Sequence, residues 1–142
     1  MDKIVALRNP IYERVAELLA GLFPGEDLLL YRASTNSNGY GEIHFPHRDH
    51  DLHTRHLTVI YYANDEWPMH YGGHTLFHAL DHEPLLAVGI RPGRMVIFRG
   101  AITHEVGVPT KHCEMQRFAT VFRFYSLAPL GGKEEGLRAE SN

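Results

Sequence analysis

The sequence predicts a mainly β fold braced by one N-terminal helix. Two observations point there first: helical periodicity is confined to the start of the chain, and the rest reads as short β runs punctuated by turn residues. A third is the distance between the candidate metal ligands, which sit on runs far apart in sequence and must be brought together by a closed sheet.

The helix opens at Asn9-Pro10, where an asparagine side chain can cap free N–H groups and proline suits the first helical position. Ile11, Val15, Leu18 and Leu22 then recur at helical spacing, and Pro24-Gly25 ends the pattern. Strands are expected near residues 28–33, 42–45, 56–63, 74–77, 85–88, 94–99 and 117–125. Residues 35–41, rich in Asn and Gly, read as a loop, and Arg91-Pro92-Gly93-Arg94 as a tight turn. Short strands behind a single helix fit a double-stranded β-helix, the jelly-roll or cupin-like form, which holds a metal in the barrel mouth. Alternating β-α units are lacking, which argues against a doubly wound fold. The expected organisation is one domain over 1–142, with the helix in 1–26, the barrel in 27–126 and a flexible tail over 127–142.

Composition narrows the function. A 44% hydrophobic content with seven Phe, seven Tyr and one Trp can fill a core. The net charge of −3 and the lack of any Lys/Arg cluster argue against nucleic acid as a partner. Cys113 is the only cysteine, so no intrachain disulfide can form and a reducing compartment is expected. With no signal pattern and no apolar run near the roughly 20 residues that span a bilayer, a cytoplasmic protein without a membrane partner is expected.

Chemistry enters at His47-Arg48-Asp49. On an extended run, residues two apart point to the same side, so His47 and Asp49 can hold adjacent corners of one octahedron. His104 follows 55 residues after Asp49, six positions beyond the end of the apolar run Met95-Val96-Ile97-Phe98, and supplies a third corner. Two histidines and a carboxylate form the facial ligand set of non-haem Fe(II) oxygenases. Arg117, further along, offers a planar and permanently charged fork for a dicarboxylate cosubstrate.

Several segments in order carry a family resemblance. They are Phe-Pro-His47-Arg-Asp49, then Leu57-Thr-Val-Ile-Tyr-Tyr62-Ala-Asn64 with Trp67 and Gly72-Gly73, then Arg91-Pro-Gly-Arg-Met-Val-Ile-Phe98, His104-Glu-Val, and Arg117-Phe-Ala-Thr-Val-Phe. From about Tyr31 to Tyr125 the chain resembles the prolyl-4-hydroxylase-like branch of the 2-oxoglutarate- and Fe(II)-dependent dioxygenases. The resemblance implies Fe(II) at His47, Asp49 and His104, and the distal carboxylate of 2-oxoglutarate at Arg117, with Tyr62 and Tyr31 as hydroxyl partners. It implies hydroxylation of a small metabolite, an amino acid or a peptidyl residue, with conversion of 2-oxoglutarate and O2 to succinate and CO2. Halogenating relatives carry a small residue in place of Asp49, so the intact carboxylate favours hydroxylation or desaturation.

Three departures stand out. His74 occupies the position after Gly72-Gly73 where the family usually has Glu, and Arg123 stands where an aromatic residue is frequent. The brace before the first strand is short, as in a minimal version of the fold or a chain lacking an N-terminal portion. Arg117 and Arg123 share strand parity, so both can face the interior. A sister branch, the alkylation-repair demethylases, carries two arginines at this spacing. The motifs around Tyr61-Tyr62, Gly72-Gly73 and His104 favour Arg117 as the cosubstrate anchor and leave Arg123 to an anionic group on the substrate.

The other histidines have plainer readings. His50, His53 and His56 read as a solvated or substrate-entry loop, and the His70, His74, His78, His82 stripe is broken by Gly72-Gly73. Thr75 and Phe77 are expected inward and His74 outward. Two alternatives stay open: a non-catalytic jelly-roll module that binds a metal or ligand, and a cupin-type metalloenzyme without cosubstrate. The second predicts a His-x-His pair, which this chain lacks.

Overall fold

The computed structural model describes residues 9–52 and 54–127. His53, the first part of the expected helical region and nearly all of the expected flexible tail lie outside the described residues.

Helix α1 spans Pro10–Leu22, and the Asn9 side chain accepts the Ile11 N–H at 2.8 Å, with proline at the start as its composition demands. Eight strands follow: β1 (Leu28–Asn38), β2 (His44–His47), β3 (His56–Tyr62), β4 (Thr75–His78), β5 (Pro84–Val88), β6 (Met95–Arg99), β7 (His104–Val106) and β8 (Arg117–Ser126). They form two four-stranded antiparallel sheets, ordered β1-β8-β3-β6 and β2-β7-β4-β5. The architecture is mainly β, the jelly roll that the sequence predicts, with one helix outside it.

Strand alternation sorts two apolar clusters. On the outer face of the β1-β8-β3-β6 sheet, Val15 and Leu19 of α1 pack on Leu30, Leu57, Val59, Phe122 and Phe124. Tyr12 adds a ring stacked on Phe124, with centroids 6.3 Å apart. Each fully buried aliphatic side chain here contributes about 1.5–3 kcal/mol. Between the sheets, Ile60, Tyr62, Phe77, Ile90, Phe98, Ala119 and Val121 form the second cluster. The inward parity of β8 therefore runs Arg117, Ala119, Val121, Arg123, and that of β3 runs Thr58, Ile60, Tyr62, the residues that reach the cavity between the sheets or its walls.

Three elements differ from the sequence expectation by more than one residue. Strand β1 continues through residues 35–38, expected as loop, because Thr35 to Asn38 pair with Thr120 to Arg117 of β8. Cross-strand pairing there outweighs the poor β propensity of Ser and Asn. Strand β2 begins at His44 rather than 42, and β7, only three residues long, was not expected from the sequence because it is too short to show a period. Thr75 and Phe77 do face inward, both buried.

Candidate metal centre and carboxylate pocket

His47 and His104 are register partners across β2 and β7, which sets the two imidazoles side by side with ring centroids 4.4 Å apart. Each ring is fixed in the same way. His47 Nδ1 donates to the Phe45 carbonyl at 2.8 Å, and His104 Nδ1 donates to the Ile102 carbonyl at 2.9 Å. A carbonyl only accepts, so in the neutral ring the proton sits on Nδ1 and the Nε2 lone pair is left free. Both Nε2 atoms turn toward Asp49, each 3.8 Å from one of its oxygens. One donor atom from each residue lies within 4.8 Å of the other two. Oriented lone pairs, a carboxylate and carbonyl-anchored rings fit the donor set of a divalent metal.

Asp49 is held on every side. Its N–H and that of His50 both donate to the Gly100 carbonyl, at 2.9 and 3.0 Å. A Cβ at Gly100 would stand 3.3 Å from the His50 ring and 3.6 Å from Asp49 Cβ, so glycine permits this approach. The Thr58 hydroxyl donates to Oδ2 at 2.6 Å, and Arg123 Nη2 meets Oδ1 at 2.5 Å. Burial pushes the Asp49 carboxyl up, but Thr58 and Arg123 outweigh it and hold the group below the ordinary carboxylate range. For His104 burial dominates, lowering its pKa against the raising effects of the Ile102 carbonyl and Asp49. At neutral pH the set is therefore a carboxylate with at least one neutral imidazole beside it.

Arg117 closes the other end of the same cavity. It is buried, with 1% of its surface exposed, and no carboxylate pairs it among the described residues. Its Nε donates to the Gly73 carbonyl and Nη2 to the Thr75 hydroxyl, both at 3.1 Å. Gly72 and Gly73 both take positive φ, 68° and 70°, which is how that carbonyl is presented. Tyr62 supports the arrangement: its hydroxyl meets Thr75 Oγ1 at 2.8 Å, and the guanidinium carbon lies 5.2 Å from its ring centroid. Burial lowers the Arg117 pKa, with Tyr62 opposing, and the group remains a cation at any physiological pH. A buried cation without a counter-charge is costly unless an anion joins it, and a dicarboxylate reaching from the metal corner would supply one.

The predicted residues divide clearly. His47, Asp49, His104, Arg117 and Arg123 all line one cavity between the sheets. Tyr62 lies behind Arg117, holding Thr75. Tyr31 is not brought to Arg117: the strand is irregular between Leu30 and Arg32, and the Tyr31 hydroxyl meets His50 Nε2 instead. There it joins His50, His56 and Tyr125 in an aromatic group, with the two histidine rings stacked at 3.5 Å. The His70–His82 stripe does not assemble; the one metal-competent group among the described residues is His47, Asp49 and His104. Sequence reasoning missed Thr58 as a partner of Asp49 and Thr75 as a partner of Arg117. Inward parity on β3 and β4 was the available signal.

The family model for the 2OG-Fe(II) oxygenase superfamily matches residues 31–125. An oxidoreductase of that family from Burkholderia pseudomallei superposes with a TM-score of 0.61 at 16% identity, covering 82% of this chain and 58% of its own. A prolyl-4-hydroxylase from Pseudomonas putida gives 0.57 at 19% identity, covering 88% and 66%. A Trichoplax adhaerens prolyl hydroxylase, in complex with a hypoxia inducible factor oxygen degradation domain peptide fragment, gives 0.57 at 21%, covering 80% and 52%. At such identities the likeness concerns the fold, and the chain spans between 52% and 66% of these proteins' lengths. No curated protein matches the chain.

Proposed function

Because the chain belongs to the 2OG-Fe(II) oxygenase superfamily, whose cofactors are Fe(II), 2-oxoglutarate and O2, we propose that it hydroxylates a small metabolite, an amino acid or a peptidyl residue. The observation that carries this reading is the buried, carboxylate-free Arg117 sharing one cavity with the His47, Asp49, His104 set. Bound iron would supply the oxidising chemistry, coupling conversion of 2-oxoglutarate and O2 to succinate and CO2 with oxidation of the substrate.

The chain's own groups would bind and orient. His47 and His104 offer Nε2 lone pairs already aimed, and Asp49 offers a carboxylate steadied by Thr58. Arg117, braced by Gly73 and Thr75, would hold the distal carboxylate of 2-oxoglutarate, and Tyr62 keeps that brace in place. The apolar lining from Ile60, Val106 and Val121 would limit water in the space between once the cosubstrate is bound. Arg123, beside Asp49 and with a buried Nε that has no partner among the described residues, would receive an anionic group of the substrate. Tyr31, engaged with His50, has no role toward the cosubstrate in this reading. The peptide complex of one structural relative keeps peptidyl residues among the substrates to be screened.

The test is substrate-stimulated succinate formation by the iron-loaded protein, screened against metabolites, amino acids and proline-containing peptides. Anaerobic addition of 2-oxoglutarate to the Fe(II) protein should also give the weak visible band of a metal-bound 2-oxo acid. A folded, iron-loaded protein that gives neither band nor succinate is a binding module, and the proposal fails.

A further inference from the structure

His44 lines the same cavity as His47 and Arg117, yet an ordinary strand would not allow it. His44 and His47 are three positions apart, so regular alternation would turn them to opposite faces. The pairing of β2 with β7 shifts register between these residues, His44 facing Val106 and His47 facing His104. Such an irregularity inserts an extra residue and re-aims the side chains around it. Pro46, which lacks an N–H to lose from the ladder, sits inside the irregular stretch. Both imidazoles therefore enter the cavity.

The two rings differ in their ties. His47 is anchored through Nδ1, whereas the ring of His44 makes no hydrogen bond among the described residues. It is half-buried on the β2 wall, in the cavity whose far end is Arg117. A half-buried imidazole without a partner, facing a cavity that contains an uncompensated guanidinium, has a donor ready for an anion. Burial, then His47 and Arg117, lower its pKa, so it stands there as a neutral donor that adds no further positive charge.

We infer that His44 is a second recognition residue for the cosubstrate, donating a hydrogen bond to the distal carboxylate of 2-oxoglutarate that Arg117 pairs by charge. This rests on the function proposed above, and it adds a wall residue to the site. Selectivity would follow from geometry. Arg117 approaches the carboxylate from β8 and His44 from β2, so an acid lacking that carboxylate satisfies neither.

The experiment titrates 2-oxoglutarate into the Mn(II)-loaded protein by calorimetry, for wild type, His44→Phe and His44→Gln. Mn(II) affinity is measured separately for each, and 2-oxopentanoate, the same chain ending in methyl, serves as the probe lacking the distal carboxylate. His44→Phe should weaken 2-oxoglutarate about tenfold or more, as loss of a hydrogen bond to a charged acceptor does. Its affinities for Mn(II) and for 2-oxopentanoate should stay unchanged, and His44→Gln should restore most of the loss. Should His44→Phe misfold by circular dichroism, His44→Ala takes its place in the comparison with Gln. The role is overturned if 2-oxoglutarate binds the Phe (or Ala) variant as it binds wild type, if both acids weaken equally, or if Mn(II) is lost. Wild type that binds no 2-oxoglutarate overturns the proposed function along with it, whereas wild-type binding with an indifferent variant removes His44 alone.

Discussion

Arg123 and Asp49 lie 74 residues apart in the chain, yet Nη2 of one stands 2.5 Å from Oδ1 of the other, with the Asp49 side chain only 1% exposed. The same carboxylate is offered to a metal and is already bound by a cation. Removing the cation has two consequences. Arg123→Ala should destabilise the metal-free protein by about 1–3 kcal/mol, since a buried carboxylate loses its charged partner. It should leave 2-oxoglutarate affinity within about threefold of wild type while weakening an anionic substrate. Chemical denaturation and cosubstrate titration check the two; loss of 2-oxoglutarate binding would move the anchor from Arg117 to Arg123.

Arg117→Ala should behave in the opposite way. It removes the buried guanidinium that would pair a carboxylate, so 2-oxoglutarate should bind at least about tenfold more weakly. Metal affinity should be unaffected, because Asp49 is held by Thr58 and Arg123 and not by Arg117. Metal titration beside cosubstrate titration separates the effects.

Thr58→Val keeps the shape and deletes the hydroxyl that donates to Asp49 Oδ2. Loss of such an outer partner typically costs about 10–100-fold in metal affinity. Competition with a chelator of known affinity reads it directly. An unchanged affinity would mean that Thr58 only fills space.

His47→Ala and His104→Ala should both abolish tight metal binding but differ in stability. His47 is exposed on 40% of its side-chain surface, so its truncation should leave thermal unfolding of the metal-free protein nearly unmoved. His104 is buried against Phe98, with centroids 4.7 Å apart, so His104→Ala leaves a cavity and should lower the unfolding midpoint.

Acid should destabilise the metal-free protein in a defined direction. His104 and Asp49 both titrate lower in the folded state than in the unfolded chain. The unfolded chain therefore takes up protons first as pH falls, and each group's contribution is lost between its ordinary value and its folded one. For His104 the loss begins near the ordinary imidazole value of about 6.5, and for Asp49 only near that of a carboxylate, about 3.9. The unfolding midpoint should decline from about pH 7 to pH 5, less steeply in His104→Ala, when followed by circular dichroism. A flat profile in wild type would contradict the buried neutral imidazole.

Local chemistry in the sequence was enough for the helix over residues 10–22, its Asn9 cap, the inward faces of β4 and β8, and the placing of His47, Asp49, His104, Arg117 and Arg123 around one cavity. Period and capping are short-range properties, and ordered motifs carry the ligand types. Tertiary structure alone decided the rest. Residues 35–38 became strand because β8 pairs them, and β7 exists because β2 and β4 flank its three residues. The irregular pairing at Phe45-Pro46 turned His44 inward, and a shift between Leu30 and Arg32 sent Tyr31 to His50. Register shifts and long-range pairings depend on which carbonyl a distant strand presents, and no window of neighbouring residues contains that information.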